Sequence, residues 1–148
     1  MNNYPSWWDQ TITVYNRYED ASTHQVTWYR TVLTDCFWKY ADEKLLIGST
    51  KVEANYTVCR VPVNPKYKMK YAWDNLSSSE KANYFTFGPG DIVILGEVAD
   101  TVDEYTSGQR STDLISKYKK LQGCMTVNYG IVNVGGGRGQ EHYRVRGN

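Results

Sequence analysis

The run Asp91-Ile92-Val93-Ile94-Leu95-Gly96-Glu97-Val98 constrains this chain more than any other stretch. Four consecutive apolar residues, mostly β-branched, match a strand buried on both faces better than a helix. Gly88-Pro89-Gly90 just before it is a strong turn signal, because glycine accepts positive φ and proline presets its own. A strand of this kind needs partners, and alternating runs supply them. Thr11 to Tyr18 places Ile12 and Val14 on one face, Thr11 and Thr13 on the other. After the turn Glu19-Asp20-Ala21-Ser22, Val26 to Leu33 alternates again, with Val26, Trp28 and Val32 opposite Thr27 and Thr31. Cys36 to Tyr40 continues that strand or restarts it after a bulge at Thr34-Asp35. Leu45 to Ile47 and Lys51 to Glu53 flank Gly48 as a small hairpin, and Tyr56 to Val61 is a strand ended by Pro62 and Pro65. Met125 to Val134 and Gln140 to Arg146 pair as a hairpin across the glycine-rich Gly135 to Gly139.

Helices are fewer. Ser111 to Gln122 carries Leu114, Ile115, Tyr118 and Leu121 on one face, with Asp113 near its start, Lys117, Lys119 and Lys120 near its end, and Gly123 to stop it. Ser77-Ser78-Ser79-Glu80 has capping-box spacing and predicts a short helix to about Asn83. Seven to nine short strands and one principal helix give a mainly β fold: a single β-barrel-like domain over 1–148, with one principal α-helix and a C-terminal β-hairpin. A chain of 148 residues can bury such a core without metal or disulfide staples.

Several function classes fit poorly. The net charge is +1, far from the basic balance of a dedicated duplex-binding domain. Cys36, Cys59 and Cys124 are odd in number and form no metal-ligand spacing, so they read as buried free thiols in a reducing cytoplasm. No signal peptide is expected at Met1 to Trp8, and no apolar run approaches the roughly 20 residues of a membrane helix. Gly135 to Gly139 lacks the following helix that a phosphate cradle requires. Two histidines, His24 and His142, and no recognisable nucleophile context argue against an enzyme, and no cofactor or metal is expected. Asp100, Asp103 and Glu104 lack calcium-loop spacing and read as a solvated acidic loop.

Two charge features stand out. Lys66, Tyr67, Lys68, Met69, Lys70 and Tyr71 interleave cations with side chains suited to stacking, as strand-binding surfaces do. Residues 64–75 are therefore expected to project as an arm, with Lys66, Tyr67, Lys68, Lys70 and Tyr71 at a channel or a subunit interface. The competing reading is an edge or loop guarded by lysines. In addition, Asp91 to Tyr105 holds five acids and no base, whereas Thr106 to Asn148 holds seven bases and two acids. This polarity is either neutralised within the fold or used between copies.

Phe85-Thr86-Phe87-Gly88-Pro89-Gly90-Asp91-Ile92-Val93-Ile94-Leu95-Gly96-Glu97 resembles the Gly-Asp run of small head-to-tail connector proteins from long-tailed phages. Tyr4 to Asp9 with Thr11 to Tyr15, and Glu104 to Gly108 through Leu121 to Cys124 to Tyr143, resemble uncharacterised minor structural proteins of prophages in Gram-positive gut bacteria. The connector resemblance implies a β-barrel subunit of a dodecameric or hexameric ring in the virion neck, assembled in the host bacterial cytoplasm. Its partners would be portal or adaptor and tail proteins, with packaged DNA in the channel and no membrane. A stopper, a tail terminator and another neck component are all compatible with it, and an OB-like nucleic-acid-binding module is the rival from another class.

Overall fold

One residue with positive φ decides how many strands there are. In the computed structural model, which describes residues 4–47, 50–105, 108–121, 123–133 and 141–148, Asp35 sits at φ 59°. Aspartate tolerates this left-handed conformation better than most residues. Gln10 pairs with Cys36 but Ile12 with Leu33, so an extra residue is absorbed as a bulge and the strand bends without ending. Strand β2 consequently runs from Val26 to Ile47 (22 residues) across three runs that the sequence suggests separately. The expected small hairpin is likewise the far end of a long one, because β3 spans Thr50–Pro62; Gly48 lies outside the described residues.

With β1 (Gln10–Glu19), β4 (Ile92–Leu95), β5 (Cys124–Asn133) and β6 (His142–Gly147), the described strands number six. They close a barrel in the order β1-β2-β3-β6-β5-β4, with every neighbouring pair antiparallel. Strand β4 is shorter than the sequence suggests. Gly96, at φ 97°, turns the chain out after Leu95, and its N–H donates to the Thr11 carbonyl at 2.7 Å. The C-terminal hairpin is the β5–β6 pair; the glycine-rich stretch 135–139, where a turn is expected, lies outside the described residues. The principal helix is α3 (Ser111–Leu121), and Gln122 is likewise outside. Two short helices, α1 (Lys70–Asp74) and α2 (Ser78–Lys81), fill the connection from β3 to β4. Ser77 caps α2 by accepting from the Glu80 N–H at 3.3 Å, as its spacing predicts. Among the described residues no helix is long and apolar enough to cross a membrane.

Two apolar clusters follow from the alternation. Ile12, Val14, Cys59, Val61, Val93, Met125, Val127 and Val145 point inward and fill the barrel, with Phe85, Phe87 and Tyr143. The opposite faces of β1, β4 and β5 are also covered. There Tyr15, Ile92, Ile94 and Cys124 pack with Val98 against Leu114 and Tyr118 of α3. The helix face differs from expectation at one position. Leu114 is fully buried, Tyr118 is buried and Ile115 packs partly, but Leu121 is 67% exposed. The last turn of α3 overhangs an open groove instead of the barrel wall.

One part of the sheet extends past the barrel. Strand β6 reaches β3 only as far as Thr57, whereas the β2–β3 ladder continues to Ile47↔Thr50. Among the described residues, 42–47 and 50–55 pair only with each other, as a two-stranded ribbon.

Candidate functional site

The basic aromatic segment does not project. Tyr67 stacks on Tyr143 with ring centroids 4.1 Å apart and lies against Phe85 and Phe87. Backbone bonds from Lys68 to Phe85 (2.9 Å) and from Phe85 to Lys66 (3.0 Å) fasten the segment to the barrel. Trp73 is fully buried, in edge-on contact with Tyr18 and Tyr29, and its indole donates to the Tyr84 carbonyl. Lys70 donates to the Arg17 carbonyl at 2.9 Å and pairs with Asp74. The projecting arm expected at 64–75 is thus corrected: two large aromatics bury more favourably than they project, and the segment joins the core. Of the five residues singled out, Lys66 and Tyr71 are exposed; Tyr67, Lys68 and Lys70 are partly buried.

The Gly-Asp run has a local explanation. Asp91 is fully buried and accepts from the Gly88 N–H (2.8 Å), the Arg17 N–H (2.8 Å) and the Asn16 side chain (2.9 Å). Asn16 also donates to the Thr86 carbonyl at 2.6 Å. The carboxylate therefore closes its own turn, in which Gly90 takes φ 91°, and ties it to β1. Burial raises the acid to about 6, against the lowering by these donors.

The acidic connection is largely consumed within the molecule. The Asp100 carboxylate accepts from Tyr118 (2.6 Å), Lys117 (2.9 Å) and Gln109 (3.0 Å), while its carbonyl accepts from Tyr15 at 2.6 Å. The Tyr118 hydroxyl and the Lys117 ammonium lower it to about 2. Glu104 accepts from the Ser111 N–H at the start of α3, where the helix dipole favours an anion. These acids act as fasteners for α3, and no cluster suited to a metal ion is found among the described residues.

The cations fare differently. On the outer face of the opposite wall, Arg144 of β6 lies beside Arg60 of β3, which lies beside Phe37 of β2; Arg146, Val58 and Lys39 form the next row. Arg60 rests over Phe37 at 5.5 Å and Arg146 over Tyr56 at 3.7 Å. The Nε atoms of Arg60 and Arg144 are buried and have no hydrogen-bond acceptor among the described residues. No sequence motif advertises this cluster. Its trace is Arg144-Val145-Arg146 and Cys59-Arg60-Val61, each with cations beside inward-facing residues.

Beside α3 an open groove of about 620 Å³ is lined by Trp38, Tyr40, Tyr56, Lys119, Lys120 and Leu121, among others. Tyr40 and Leu121 are well exposed there. Burial raises the Cys59 thiol well above the ordinary range, with Cys36 adding to it, and raises Cys124 to about 11, so neither of these two is a ready nucleophile near neutral pH. His24 lies in an exposed turn at φ 59°, and His142 meets Trp8 edge-on at 5.6 Å.

Residues 7–148 match the sequence pattern of a Family of unknown function (DUF6751), and the chain belongs to that family. No curated protein and no solved structure matches it.

Proposed function

We propose that this member of a family without an assigned activity is an assembly subunit: a virion structural protein of a phage neck. It would form a ring between portal or adaptor and tail, as a head-to-tail connector or stopper. The observation that carries the reading is the β2–β3 ribbon, whose outer ladder has no third strand among the described residues. A two-stranded ribbon is marginal in water, and its open edges are templates for another chain. A ring supplies that second chain at every position through a head-to-tail contact, and closure leaves no edge over. The aromatic groove under Leu121 gives a second seat for a neighbour. The resemblance of the Phe85 to Glu97 run to connector proteins supports a location in the virion neck.

Trimming the ribbon tests this. Residues 44–53 would be replaced by Asn-Gly, a two-residue turn that suits the Glu43↔Ala54 pair. Native mass measurement, alone and with portal and tail proteins of a tailed phage, should find a ring for the parent chain and a folded monomer for the trimmed one. A parent chain that stays monomeric with those partners present contradicts the reading.

A further inference from the structure

We infer that the outer face of β2, β3 and β6 is a binding surface for the phosphate backbone of a nucleic acid, held by Arg60, Arg144, Arg146 and Lys39. Arg60 and Arg144 are directly opposed in register, and like charges in that relation repel. Their Nε groups have given up water without gaining an acceptor among the described residues. The strand segments involved, 37–39, 58–62 and 142–146, contain no Asp or Glu; Glu141, exposed just before β6, is the neighbouring acid in sequence. None of the four cations has an ion pair among the described residues, whereas Asp100 on the opposite wall holds Lys117. An external anion would relieve the repulsion by pairing with the outer ends of the guanidinium groups, whose buried Nε atoms fix how those ends are presented.

The neighbouring rings narrow the class of anion. Phe37 and Tyr56 lie under guanidinium groups, and Trp8 is buried between Tyr4, Phe37 and His142. Phe37 beneath Arg60 and the buried Trp8 offer no platform on which a base could stack, and Tyr56 beneath Arg146 lies at the rim, on the groove beside α3, so this face suits backbone more than bases. It also lacks the exposed apolar centre that protein interfaces favour; Val58, between the cations, is buried. What it presents is a strip of charge with Arg144 and Arg146 two residues apart on one strand, roughly 7 Å along the chain. Planar guanidinium forks held by aromatic contact suit a repeating array of phosphates. The inference does not rest on ring formation: a monomer would present the same face.

Anisotropy of a short labelled duplex, titrated with the full chain from about 50 to 200 mM salt, tests it. The parent chain should bind at low salt and weaken steeply. Replacing Arg60, Arg144 and Arg146 together by Gln should reduce affinity at least tenfold and flatten the log–log salt slope by about 0.9 for each phosphate no longer neutralised. The same variant should melt no lower than the parent, since the repulsion is gone. Should the triple variant fail to fold, Arg144→Gln alone is read by its slope, with an expected change of about 0.9. Changing Lys66 and Lys68 to Ser should leave the slope nearly unaltered. Absence of duplex binding at low salt, an unchanged slope in the arginine variants, or preference for a polyglutamate peptide over the duplex would overturn the inference. Duplex binding by a chain that stays monomeric with portal and tail proteins would uphold it and refute the ring.

Discussion

The two walls of this barrel are finished differently. On the β1–β4–β5 side the chain covers itself. Helix α3 lies over Tyr15, Ile92 and Ile94, and Asp100 fastens Lys117 and Tyr118 while its carbonyl holds Tyr15. On the β2–β3–β6 side no helix of the described chain packs to a comparable extent, and the arginines have no ion-pair partners among the described residues. The charge polarity of the sequence thus has two outcomes in one molecule. In its acidic half Asp100 is paired in place with Lys117 and Asp91 and Glu104 are held by N–H donors, whereas part of its basic half is left outward.

Several measurements would sharpen or break that contrast. The largest effect belongs under the covered wall, where Leu114→Ala should destabilise by about 2–5 kcal/mol in urea unfolding. Asp91→Ala strips the acceptor from three donors, at Gly88, Arg17 and Asn16, and should cost about 3 kcal/mol.

The two carboxylates should also oppose each other in pH. Asp91 is raised to about 6 in the folded chain, so the native state holds its proton where the unfolded chain has lost it. Its contribution should decline as pH rises from about 4 to 6, and Asp91→Asn should abolish that decline. Asp100 is lowered to about 2, so its contribution is present above about 4 and lost as pH falls towards 2; Asp100→Asn should remove this acid-side loss. On the β2–β3–β6 wall, Arg144→Gln should leave stability unchanged or raise it by a few tenths of a kcal/mol. Smallest of all, Leu121→Ala should stay within about 0.5 kcal/mol. Equal losses at Leu114 and Leu121 would mean that α3 is covered along its whole length, and the groove would not be open.

Much of the fold is legible in the sequence because it is written in local patterns. The strands of β1, β4 and β5, the cap at Ser77 and the stop at Gly123 each need only a few neighbouring residues to be recognised. Strand number is harder to read, since whether Thr34-Asp35 breaks or bends the chain depends on the backbone of Asp35, which the pairing with β1 decides. The 64–75 segment misleads for a similar reason. Tyr67 and Trp73 have no apolar face of their own, and their partners Tyr143, Phe85, Tyr18 and Tyr29 come from distant parts of the chain. The arginine face is illegible on the same ground, because Arg60 and Arg144 are neighbours only once β3 and β6 have paired.

The proposed ring makes this barrel one link at the joint of a tailed particle, and electron cryomicroscopy of such particles would show it. Repeated copies of the six-strand barrel are expected around the neck channel, each β2–β3 ribbon lying against the next copy. Particles whose neck contains no such barrel, or copies whose ribbons touch no neighbour, would contradict it.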